Sequence, residues 1–78
     1  MPSVLWIGPY QFLFYSRGGT EPPHIHVRRE RFLAKFWLVP LVELADNKGF
    51  RSHELNVIRR HVELNREYLL EKWHEHLG

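Results

Sequence analysis

Neither glycine nor proline interrupts residues 50–77, more than a third of a 78-residue chain. Within that stretch Leu55, Ile58, Val62, Leu69 and Trp73 recur at spacings of three, four and seven. At about 100° per residue they fall within one narrow arc, the stripe by which a helix covers a core. Ser52 is the expected N-cap, and Glu54 falls in the first turn, where the helix dipole favours an anion. Gly78 marks the far end. The pattern predicts one long helix over about 52–76. An amphipathic helix gains most of its stability from the surface it packs on, so residues 1–51 must supply that surface.

They read as strands. Ser3 to Ile7 is a short β-branched and aromatic run, stopped by the turn pair Gly8-Pro9. Tyr10 to Ser16 alternates around Phe12 and Phe14 and is expected to return as the second strand of a hairpin. Residues 17–23 form a loop, with Gly18 and Gly19 first and Pro22 and Pro23 last. His24 to Arg29 is a third strand and Phe32 to Leu38 a fourth, ended by Pro40. Residues 39–51 are expected to be a connector with a helical turn or a short edge strand, closed by Asn47-Lys48-Gly49. The predicted fold class is α+β: a four- to five-stranded antiparallel sheet of hairpins, about residues 3–38, packed on one long C-terminal helix. The whole chain, 1–78, is expected to be one domain, since a second core would have too little chain to enclose it.

Composition narrows the means of stabilisation. There is no cysteine, so neither disulfides nor thiolate metal sites contribute, and three Trp, three Tyr and five Phe must build the core. The N-terminal run lacks a basic region and is broken by Gly8 and Pro9, unlike a signal peptide. No run approaches the length of a membrane span. The cytoplasm is the expected compartment. Net charge is +2, unevenly placed: Arg17, Arg28, Arg29, Arg31 and Lys35 outweigh Glu21 and Glu30 in the first 35 residues, whereas residues 36–78 are slightly acidic. The sheet is therefore expected to be the positive part of the molecule, open to an anionic partner.

Strand parity places the side chains. Ile25 and Val27 share one face of the third strand, and His24, His26 and Arg28 share the other. A turn at Glu30-Arg31 pairs Val27 with Ala34, Ile25 with Phe36, His26 with Lys35 and His24 with Trp37. A slip of one residue would set both histidines against phenylalanines and leave Ile25 and Val27 in water. The predicted consequence is an uncovered face bearing His24, His26, Arg28, Lys35 and Trp37, the candidate binding residues.

The prolines before His24 pre-extend the chain and limit its freedom. Imidazoles titrate near neutrality and suit proton transfer, while Arg28 and Lys35 suit an anion; His24 and His26 are the candidate catalytic pair if the protein is an enzyme. A His-x-His metal site needs a third ligand, this face offers no carboxylate of its own, and Lys35 would repel a cation. No metal or cofactor is assigned. His74 and His76 project about 200° apart on a helix and cannot share a metal; with His53 and His61 they are expected at the surface or rim. Arg59 and Arg66 fall near the apolar stripe, where their stems cover apolar surface and their heads reach the rim. Diametrically opposite, Val57, Leu64 and Tyr68 form a second, thinner apolar stripe, a candidate partner or self-association patch.

The opening Met-Pro-Ser-Val-Leu-Trp-Ile-Gly-Pro-Tyr-Gln-Phe-Leu-Phe-Tyr-Ser, then Glu21-Pro22-Pro23-His24-Ile25-His26-Val27, then Ala34-Lys35-Phe36-Trp37-Leu38, resemble the small bacterial family DUF4160, a domain of unknown function. So do Asn47-Lys48-Gly49-Phe50 and Trp73-His74-Glu75. The resemblance covers essentially the whole chain. It implies a free-standing bacterial protein, often encoded beside a small DUF2442-type protein in a toxin–antitoxin-like pair, and it carries over no catalytic residue.

Three expectations follow. The first is a nucleic-acid- or protein-binding module of such a pair, contacting RNA through the His24/Trp37 face and a cognate protein through the Val57/Leu64/Tyr68 stripe or a sheet edge. The second is a small metal-independent ribonuclease using His24 or His26. The third is a protein-interaction subunit whose histidines are incidental, with a His-x-His metal-binding protein as a further alternative. Homo-oligomerisation is compatible with each.

Overall fold

The computed structural model describes residues 3–15 and 20–77. Five strands lie in chain order in one antiparallel sheet: β1 (Ser3–Ile7), β2 (Tyr10–Leu13), β3 (His24–Arg29), β4 (Phe32–Trp37) and β5 (Glu43–Lys48). Two helical segments follow, α1 (Ser52–Leu64) and α2 (Arg66–Leu77), and they cover one face of the sheet. The α+β architecture expected from the sequence is present.

The turns form where local chemistry allows them. Gly8 adopts φ 55° in the two-residue β1–β2 turn, a left-handed conformation open to glycine at no steric cost. At the β3–β4 turn Glu30 takes φ 56° without that advantage, and the Arg28 Nε–H donates to its carbonyl at 2.9 Å. The β3–β4 register is the one parity demands: His24 faces Trp37, Ile25 faces Phe36, His26 faces Lys35 and Val27 faces Ala34. Strand β2 is shorter than expected, ending at Leu13; Phe14 still reaches the core, and Ser16 lies outside the described residues.

The connector resolves into a full edge strand. Residues Glu-Leu-Ala-Asp-Asn-Lys have little intrinsic strand preference, but pairing them satisfies the outer backbone groups of β4. The strand ends where the Asn47 side chain bonds both the N–H and the carbonyl of Phe50. Gly49 follows at φ 107°, with the Phe32 ring so close that a Cβ there would overlap it.

The helix differs from expectation at both its start and its middle. Arg51, extended at φ −84° and ψ 162°, occupies the N-cap position without a side-chain cap; Ser52 is already helical. Asn65 then interrupts the helix at φ −112° and ψ 15°, its amide donating to the His61 carbonyl at 2.8 Å. Just beyond, Arg66 Nε donates to the Leu38 carbonyl at 2.7 Å, while Arg59 donates to Val42 at 3.1 Å. The arginine heads tie the helix to the β4–β5 connection rather than ending in water. The stripe itself holds: Ile58, Val62, Leu69 and Trp73 are buried against Phe12, Phe14, Ile25, Val27 and Phe36, with Leu55 at the margin.

Candidate functional site

The sheet face away from the helices is built from cross-strand rows. One row runs Trp6, Gln11, Arg28, Leu33 and Lys48. The next runs Leu13, His26, Lys35 and Asp46, and the third brings His24, Trp37 and Glu43 together. Adjacent rows touch at the aromatic rings, so the third and second rows make one cluster.

His26 lies at its centre. The Tyr15 ring meets it edge-on at 4.3 Å between centroids, and His24 meets it at 5.5 Å. Its Nδ1 is buried without a hydrogen-bond partner among the described residues. Burial, reinforced by His24 and Lys35, pushes its pKa down to about 4. His24 donates from Nδ1 to the Pro22 carbonyl at 3.0 Å, so the proline pair holds this ring as well as extending the chain. The same burial lowers the His24 pKa.

His24 departs from the expected open face. It is 2% exposed, because Trp73 of α2 lies at 4.8 Å from its ring on one side and Trp37 at 5.7 Å on another. The third row sits at the end of the β3–β4 ladder, where the Trp73 indole packs against the His24 ring. His26, Lys35 and Trp37 are half-buried, and Arg28 is exposed.

The electrostatics also differ from a bare cationic patch. The Lys35 ammonium stands 4.6 Å over the Trp37 ring and donates to the Glu21 carboxylate, which lies 3.7 Å from His24 Nδ1. That bond holds the Glu21 carboxyl below its ordinary value. Asp46 faces Lys35 from β5. The expectation that this face lacks carboxylates is therefore corrected: a loop brings Glu21, and the edge strand brings Glu43 and Asp46. Still, among the described residues no three His, Cys, Asp or Glu side chains group as metal ligands. The positive charge expected of the sheet is also partly spent elsewhere, since Arg29 points to the helix side.

There it makes a bidentate ion pair between sheet and helix. Arg29 grips Glu54 with Nε at 2.7 Å and a terminal nitrogen at 3.0 Å, and the Tyr10 hydroxyl donates to the same carboxylate at 2.8 Å. The bidentate guanidinium holds Glu54 below the usual carboxylate range, and burial raises Tyr10. Parity could have found this latch: Arg29 shares a face with Ile25 and Val27, and a charge on a core face needs a partner. Tyr15 was equally available, on the opposite parity to Phe14. Glu21 was not, because a loop residue has no periodicity to place it.

The remaining candidates are scattered. Val57 and Leu64 are exposed, Leu64 at 73%, but Tyr68 bonds the Val4 carbonyl of β1 at 3.2 Å, so the second stripe is not a uniformly free face. His53, His74 and His76 are exposed and His61 is half-buried 6.0 Å from Tyr10, in separate places.

An uncrossed five-stranded meander, backed by a broken helix and carrying a His-Trp-Lys cluster on its outer face, defines a small α+β sheet-and-helix domain. A family model described as a domain of unknown function (DUF4160) matches residues 10–74, and the chain belongs to that family. No curated protein and no solved structure matches it. Among the described residues, no helix is long and apolar enough to cross a membrane.

Proposed function

We propose that the outer sheet face binds single-stranded RNA, as the nucleic-acid-contacting member of a toxin–antitoxin-like pair. The observation that carries this reading is the contact set Tyr15, His26, Lys35 and Trp37, which joins aromatic edges to a cation on a face the helices do not cover. Single strands are held by base stacking on aromatic rings and by cations along the phosphates. Trp37 offers the stacking surface, and Lys35, with Arg28 and Lys48 beyond it, offers the phosphate contacts. The exposed Val57 and Leu64 of α1 offer the cognate protein an apolar patch distant from this face.

Binding ranks above cleavage on acid–base grounds. A two-histidine ribonuclease cycle needs one imidazole protonated while the other accepts a proton. Burial lowers the pKa of both His24 and His26, which disfavours the imidazolium in each.

The test is fluorescence anisotropy of a labelled single-stranded RNA at low salt, with the RNA recovered intact afterwards. Trp37→Ala is expected to weaken binding by about tenfold. Lys35→Ala is expected to reduce the salt-dependence slope by about 1. Absence of binding at low salt, or wild-type affinity in both variants, overturns the reading.

A further inference from the structure

The two edges of the sheet are not alike. At β1 the ladder is irregular between Ser3 and Leu5, and the Val4 carbonyl is occupied by Tyr68. At β5 every residue from Glu43 to Lys48 is exposed. Among the described residues its backbone makes no hydrogen bond beyond its ladder with β4, and neither Glu43 nor Lys48 has an ion-pair partner. An edge of this kind is a template for another strand.

The irregularity in the β4–β5 ladder decides which strand fits. Asp46 pairs with Lys35 and Leu44 with Phe36, so Ala45 is the extra residue of a bulge. In a regular strand residues 43 and 48 project to opposite faces. The bulge resets the alternation, so Glu43, Asp46 and Lys48 share the outer face while Leu44 and Asn47 share the helix face.

We propose that β5 pairs antiparallel with β5 of a second copy of this chain, about a two-fold axis between Ala45 and Asp46. A two-fold interface must be self-complementary, and this sequence is. Glu43 of each copy comes opposite Lys48 of the other, giving two cross-strand ion pairs on the outer face. Leu44 comes opposite Asn47 on the helix face, again twice. A shift of one residue either way sets Leu44 against Asp46 or against Lys48, mixing the two faces, and the latter shift also places Asp46 against itself. One register satisfies both parity and charge. The result is a continuous ten-stranded sheet with all helices on one side, independent of what the outer face binds. A joint of this size stands at the low end of stable interfaces, so the dimer populates at high micromolar chain and dissociates on dilution.

Sedimentation equilibrium on the full chain tests it, with circular dichroism confirming that each exposed-strand variant keeps its fold. The wild type is expected to approach twice the monomer mass. Glu43→Lys and Lys48→Glu each set like charges opposite one another and are expected to sediment as monomers. The double exchange E43K/K48E restores opposite charges and is expected to restore the dimer. A wild type that stays monomeric at high micromolar loading overturns the proposal. So do single variants that dimerise like the wild type, or a folded double exchange that stays monomeric.

Discussion

His26 shows what one residue can cost and control. Its ring meets Tyr15 edge-on, yet its Nδ1 is buried with no partner among the described residues, and its pKa is pushed down to about 4. The unfolded chain binds a proton near pH 6.5 while the folded one refuses it until about pH 4, so stability rises with pH across that window. The contribution is complete above pH 6.5 and declines as the solution is acidified toward 4. His26→Phe keeps a ring for Tyr15 and removes both the orphaned nitrogen and the titration. Thermal melts between pH 7 and pH 4.5 are expected to fall more gently for the variant than for the wild type. Parallel curves would contradict this account of the ring.

At the scale of elements, a polar latch joins the sheet to the start of the helix. Glu54 sits in the first turn of α1, Arg29 at the end of β3, and Tyr10 at the start of β2. Glu54→Ala leaves the guanidinium without its carboxylate beside Phe32 and Phe50, and is expected to lower the melting temperature by several degrees at pH 7. Because Arg29 holds the Glu54 pKa down, the latch is intact above the ordinary glutamate value of 4.5 and weakens as pH falls through the lower, folded value. The variant and the wild type are therefore expected to converge in strongly acid melts; a constant gap from pH 7 to pH 2 would speak against the ion pair. How far these elements were legible depended on periodicity. The β3–β4 register could be read because alternating apolar and polar residues admit one pairing, and the helix because its stripe recurs over many turns. Strand β5 could be read only as a helical turn or a short edge strand, since a polar strand with one apolar leucine carries no alternation and is ordered by the edge it satisfies. The break at Asn65 has no glycine or proline to announce it, and the arginines beside it answer to carbonyls of a distant segment.

Over the whole molecule, the question is what the uncovered face can hold. Sequence parity placed His26, Lys35 and Trp37 there, but not the Trp73 ring that seals His24 or the Glu21 carboxylate that engages Lys35. Long-range contacts from a loop and from a helix end lie beyond what strand alternation encodes. Glu21 nevertheless sharpens the functional reading, because an RNA phosphate seeking Lys35 must displace a carboxylate already bound there. The affinity of Glu21→Gln for single-stranded RNA at low salt, compared with wild type and Lys35→Ala, tests this most directly. Removing the internal competitor is expected to tighten binding severalfold while Lys35→Ala weakens it. An unchanged or weaker affinity in Glu21→Gln, with the fold intact, would mean that the Lys35 ammonium is not where the nucleic acid lands.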